Sequence, residues 1–155
     1  MESAAQAAKG PVSVILSDDH ALVRQGLRNV LERDGGEFSI VAEVADVPDM
    51  IREVRTYKPD LLTLDLTMPG GSSLAALPSC FIAHPTLTVA VFTMREDPDY
   101  ARQAVRAGVR AYVLKEAEPT EILKAFRMAL GGETYLDPHL GLVVQGDEVK
   151  AAPAS

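Results

Sequence analysis

Five polar residues stand where chemistry would need them: Asp18 and Asp19 near the N-terminus, then Asp65, Thr93 and Lys115. Each closes or directly follows a short apolar run, VSVILS before the aspartate pair, LLTL before Asp65, LTVAVF before Thr93 and AYVL before Lys115. If those runs are parallel strands, the polar residues emerge at one common rim. Three carboxylates in one crevice repel each other, and their ionised forms need a compensating cation. Oxygen ligands with no cysteine or histidine in the ligand motif favour a hard Mg²⁺ over Zn²⁺. Such an ion usually takes one or two protein carboxylates, keeps several waters and engages phosphate oxygens. A single acidic residue ending a strand is an ordinary turn or cap residue; it is the joint placement that argues for a site.

The elements that must position these residues follow from the apolar pattern. Val12–Ser17, Phe38–Val44, Leu61–Leu64, 87–93 and Ala111–Leu114 read as strands, mostly continuous rather than alternating, as strands buried on both faces do. Between them lie helical patterns. Val23, Leu27, Val30 and Leu31 share one face, as do Val47, Met50, Ile51 and Val54 after a capping Asp46. A weaker helix is expected over 74–82, where Pro78 should break or kink it. Asp97-Pro98 caps and opens a fourth helix to about residue 107, and Pro119 opens a fifth with Ile122, Leu123, Phe126 and Leu130 inward. Strands alternating with helices predict a doubly wound (βα)5 three-layer α/β sandwich. In the flavodoxin-like strand order 2-1-3-4-5, strands one and three flank the switch point where ligands bind beyond the carboxyl ends.

With 155 residues, 47% hydrophobic and 24% charged, the chain suits one globular domain. No apolar stretch is long enough for a membrane span, and the first ten residues lack the pattern of a secretory signal. The lone Cys80 excludes an internal disulfide, fits a reducing cytoplasm and reads as a small core residue. A net charge of -7 argues against these residues gripping phosphodiester backbones. His20, His84 and His139 form no triad, with His20 expected at the rim and His84 in a turn. No glycine-rich fingerprint follows the first strand, which counts against a dinucleotide or P-loop site. Arg102, Arg106 and Arg110 alternate with acidic residues and read as a solvated mixed face.

The constellation Asp18-Asp19, Asp65, Thr93 and Lys115 resembles the receiver domain of two-component response regulators, over about residues 12–130. Locally, 17–26 (SDDHALVRQG), 64–70 (LDLTMPG) and 113–119 (VLKEAEP) look most like the NarL/FixJ, or LuxR-type, class. The resemblance implies that Asp65 is a nucleophile taking a phosphoryl group from the phosphohistidine of a sensor histidine kinase. It implies Mg²⁺ held by Asp19 directly, by Asp18 partly through water, by Asp65 and by the Thr67 backbone carbonyl. Lys115 and the Thr93 hydroxyl would each meet a phosphoryl oxygen, Thr93 moving inward as phosphate arrives. Tyr112 matches an aromatic switch position whose ring turns in with Thr93; on its residues alone it reads as a half-buried strand aromatic.

Two departures stand out. Glu116 follows the lysine where many receivers have proline, as is common in the NarL/FixJ class. Ser73 stands eight residues past Asp65 where such loops usually have glycine and, with Pro78, predicts an unusual third helix or a shifted loop. Thr67 occupies a position tied in the family to phosphoryl lifetime. The implied organisation is a disordered leader over 1–10, a receiver over 11–132 and a linker or tail over 133–155. The helix-turn-helix DNA-binding domain that normally follows needs roughly fifty residues or more and is absent here. A receiver-only piece of a longer transcription regulator is therefore expected, with a natural single-domain protein as the alternative. Implied partners are the kinase and a second copy, through either the helix 4–strand 5–helix 5 face or helices 1 and 5. Alternatives are a constitutive pseudo-receiver, or a haloacid-dehalogenase-like phosphohydrolase, which wants an aspartate where Thr67 stands.

Overall fold

Strands whose side chains are apolar on both sides must be covered on both faces, and this chain meets that demand with helices above and below one sheet. The computed structural model describes residues 10–33, 35–146 and 148–153; apart from Gly10, the expected leader lies outside them. In chain order the elements are β1 (Val12–Ser17), α1 (Ala21–Glu32), β2 (Phe38–Val44), α2 (Val47–Tyr57), β3 (Leu61–Leu64), α3 (Ser73–Ala83), β4 (Thr88–Thr93), α4 (Pro98–Arg106), β5 (Ala111–Leu114) and α5 (Pro119–Leu130). They build a parallel sheet ordered 2-1-3-4-5, extended by a sixth strand, β6 (Tyr135–Leu136), alongside β5. This is the expected flavodoxin-like, doubly wound three-layer sandwich.

Alternate residues of each central strand serve opposite layers. Val14, Leu16, Ala90, Phe92, Ala111 and Val113 pack with α1 and α5, against Leu27, Leu31, Ile122 and Phe126. Ile15, Leu62, Leu64, Val89, Val91, Tyr112 and Leu114 pack with α2, α3 and α4, against Met50, Val54, Leu77, Cys80 and Ala104. The expected caps form: Asp46 accepts from the Asp49 amide at 2.8 Å and Asp97 from the Asp99 amide at 2.9 Å.

Three regions depart from expectation. Pro78 does not end α3, which runs on to Ala83. Proline there removes one helical hydrogen bond, the one to the Leu74 carbonyl, while a Ser72 cap and buried Ala76, Leu77 and Cys80 hold the helix. Leu130 is only half-buried, its inward place on α5 taken by Ala125 and Ala129. The stretch expected as linker or tail carries β6, a 3₁₀ turn over Pro138–Leu140, and an antiparallel hairpin of β7 (Leu142–Gln145) and β8 (Glu148–Ala151). It is anchored by Asp137, whose carboxylate accepts from the Leu114 amide at 3.0 Å, and by Leu140 and Leu142, both buried in the α2–α4 side core. β6 covers the edge of β5, whose backbone groups would otherwise be unpaired.

Candidate functional site

Parallel pairing carries every strand to the same edge, and the hydrogen bonding continues one residue beyond the ladders. The Asp18 amide donates to the Val44 carbonyl at 3.0 Å, the Asp65 amide to Ser17 at 3.0 Å and the Lys115 amide to Thr93 at 2.9 Å. Asp18, Asp65, Thr93 and Lys115 are thus fixed through their backbones along one edge of the sheet, Asp18 and Asp65 at the switch point between β1 and β3 and the other two beside it at the ends of β4 and β5.

At the centre lies the Asp65 carboxylate, 1% exposed. One oxygen accepts from the Thr93 hydroxyl at 3.2 Å; the other accepts from the Lys115 ammonium at 3.2 Å. The Thr67 hydroxyl lies 3.3 and 3.2 Å from the two oxygens. The same ammonium sits 2.7 Å from Asp18 Oδ2, joining residues that are almost a hundred positions apart in sequence. Asp19 stands at the exposed side of the cluster.

Asp18, Asp19 and Asp65 each offer an oxygen within 4.8 Å of the others, as does the Nδ1 of His20. His20 stands beside these carboxylates, its Nδ1 3.1 Å from Asp18 and 3.2 Å from Asp19. Three carboxylates against one ammonium leave a net negative charge in a crevice that is buried at Asp18 and Asp65 and open at Asp19. The donor set therefore fits a hard divalent cation.

Tyr112 is completely buried rather than half-buried, because β5 turns it toward the α2–α4 side core and β6 pairs beside it. Its hydroxyl donates to the Arg95 carbonyl at 2.8 Å, tying β5 to the loop that follows Thr93. Burial pushes the phenol well above its ordinary pKa. His84, as expected in its turn, meets the Pro59 carbonyl at 2.6 Å, away from the site.

Three contributors escaped the sequence reading. The Arg24 guanidinium donates to the Asp18 backbone carbonyl at 2.5 Å and to Glu43 at 3.0 Å, bracing the β1–α1 loop. The Thr67 hydroxyl acts beside its backbone, and the Ser73 hydroxyl donates to the Asp65 carbonyl at 2.8 Å. Ser73 left a sequence signal, as a serine where the resembling loops have glycine, and Thr67 left one through its position two residues past Asp65, whereas Arg24 left none. An apolar groove of about 260 Å³ adjoins the cluster, lined by Val23, Leu27, Phe92 and Ile122 together with Lys115.

Residues 14–127 match the family model described as the response regulator receiver domain. The oxygen regulatory protein NreC of Staphylococcus aureus (strain JH9) is 35% identical over 130 residues, 83% of this chain and 59% of that protein. The chain thus spans about three-fifths of such relatives. A LuxR-family two-component response regulator from Aurantimonas sp. SI85-9A1 superposes with a TM-score of 0.78 at 32% identity, covering 84% of this chain and 92% of that one. The isolated receiver domain of RcsB from Salmonella enterica serovar Typhimurium, solved with phosphomimetic BeF3-, gives 0.76 at 26% identity, covering 84% and 96%.

Proposed function

This chain belongs to the response regulator receiver domain family, in its LuxR (NarL/FixJ) class, and from that membership we propose that Asp65 is its phosphoacceptor. The observation that carries the reading is the convergence of the Thr93 hydroxyl and the Lys115 ammonium on the two oxygens of one buried carboxylate. In the transfer an Asp65 oxygen attacks the phosphorus of a kinase phosphohistidine. A P–O bond forms, the P–N bond breaks, and the imidazole leaves with the electron pair and picks up a proton. Asp18, Asp19, Asp65 and the Thr67 backbone carbonyl would hold Mg²⁺, which when bound would supply positive charge against the transferred oxygens. Lys115 and Thr93 then take phosphoryl oxygens in place of carboxylate oxygens.

The acyl phosphate biases the Thr93–Tyr112 arrangement and with it the faces built on α4, β5 and α5. The output is transcription regulation by a helix-turn-helix domain outside this chain. The protein works in the cytoplasm, and among the described residues no helix is long and apolar enough to cross a membrane. We place the sensor histidine kinase on α1 beside the groove that Lys115 lines, where Leu22 is 83% exposed. For a homodimer, α1 and α5 are the better supported face. On the α4–β5–α5 side, β6 lies along β5, and Glu148 and Val149 share a cavity with Arg102, Val105 and Arg106 of α4. A phosphohydrolase reading lacks its acid, since Thr67 presents a hydroxyl where that chemistry wants a carboxyl.

Treatment with acetyl phosphate and Mg²⁺ tests the reading by intact-protein mass. The expected result is a gain of one phosphoryl group, removable by hydroxylamine and missing in Asp65→Asn. No gain in the unaltered chain would establish the constitutive pseudo-receiver instead.

A further inference from the structure

We propose that the Ser73 hydroxyl is a positioning group for phosphoryl transfer, holding the nucleophile's own peptide carbonyl; the inference rests on Asp65 being the phosphoacceptor. Ser73 is the first residue of α3 and only 1% exposed. The preceding Ser72 does the capping, its side chain accepting from the Ala75 amide at 3.2 Å, so the Ser73 hydroxyl is not needed there. It reaches across to the Asp65 carbonyl at 2.8 Å, out of reach of competing water. The Asp65 amide is held on the opposite side by the Ser17 carbonyl at 3.0 Å. Both peptide groups flanking the nucleophile's Cα are therefore fastened, one to the sheet and one to α3.

The Ser73 bond also closes the loop 66–72, whose Thr67 hydroxyl touches the Asp65 carboxylate. A second tie fixes that loop from outside, since the Val47 amide donates to the Pro69 carbonyl at 3.0 Å. Gly70 lies so close to α2 that a Cβ there would come within 2.7 Å of Pro48 Cδ, which leaves the loop little room to drift. Ser73 is thus the sole side-chain hydrogen bond, among the described residues, from α3 to the Asp65 backbone. In-line attack needs the carboxylate held to a fraction of an ångström, and displacement of its backbone is costly to rate. A glycine at this position has no hydroxyl to offer.

The test compares the unaltered chain with Ser73→Ala and Ser73→Gly, following acyl phosphate formation from acetyl phosphate at saturating Mg²⁺ and thermal unfolding in parallel. Loss of one buried hydrogen bond predicts a maximal rate about fivefold lower in both variants. The acetyl phosphate concentration giving half-maximal rate should not change, because donor binding is untouched. A merely structural serine would lower the melting temperature and leave the maximal rate of the folded protein as it was. If either variant folds and keeps the unaltered maximal rate, the positioning role is overturned while the phosphoacceptor reading stands. If the unaltered chain takes up no phosphoryl group, both fall together.

Discussion

Lys115 is the residue on which the electrostatics of the site turn. Among the described residues, its ammonium is the one cation paired with both Asp18 and Asp65, whose side chains are 7% and 1% exposed. Removing one partner of a buried ion pair leaves the other charges stranded, a penalty far larger than the loss of a surface pair. Lys115→Ala is therefore expected to lower unfolding stability in the presence of EDTA by about 2 kcal/mol, read by urea denaturation. Mg²⁺ should restore part of that loss, because a divalent cation supplies the missing positive charge. Unchanged stability with or without the ion would show that the carboxylates are not held as an ionised cluster. Asp18, Asp19, Asp65, Thr93 and Lys115 are legible in the sequence because each abuts an apolar run whose direction the parallel topology dictates. The hydroxyl partners of Asp65 are less so. A threonine two residues on and a serine eight residues on look like loop residues until the backbone folds them back.

Among the elements, the segment after α5 departs most from its sequence reading. β6 has two residues, too few for any periodicity to register, and the two strands of the hairpin beyond it are only four residues each and mostly exposed. What fixes the segment is tertiary: the exposed edge of β5, the buried Asp137 and the apolar seats of Leu140 and Leu142. The 3₁₀ turn in this segment also carries a pH-sensitive contact. His139 Nδ1 lies 2.9 Å from the Asp137 carboxylate, and this hydrogen bond and charge raise the imidazole pKa, with smaller contributions from Glu116 and Glu96. A pKa raised in the folded state means the contact is fully stabilising below the ordinary histidine value of 6.5 and is lost as pH rises through the folded value. An NMR titration of the imidazole should show a midpoint above 6.5 that Asp137→Asn, which keeps the acceptor for Leu114, returns toward the ordinary value. An identical midpoint in both proteins would remove Asp137 as the cause. By contrast α3 is predictable in kind and not in continuity. Proline's local penalty is real, but it is outweighed by a capped start and the buried Ser73, Ala76, Leu77 and Cys80 on one face.

At the scale of the whole molecule, alternation along buried strands divides the core into two layers, and both reach the rim that carries Asp65. The C-terminal segment belongs to the layer containing Tyr112, so it shares in the cooperativity of the domain. Leu142→Ala is expected to cost about 2–3 kcal/mol in a single unfolding transition, as buried leucine truncations do. Separate melting of the hairpin, with the rest unmoved, would show it to be an appendage. The architecture and the position of the site are legible because hydrophobic pattern and handed crossovers leave few ways to wind such a chain. The fit of the last strands against β5 depends on tertiary contacts that no local pattern displays. If the acidic rim centred on Asp65 governs the Thr93–Tyr112 arrangement, beryllofluoride bound there must be felt at both residues. Titrating the protein with beryllofluoride while following backbone amide NMR signals should give Mg²⁺-dependent shifts at Thr93, Tyr112 and Lys115 in the unaltered chain and none in Asp65→Ala; equal shifts in both, or silence in the unaltered chain, would show that the rim does not control that pair.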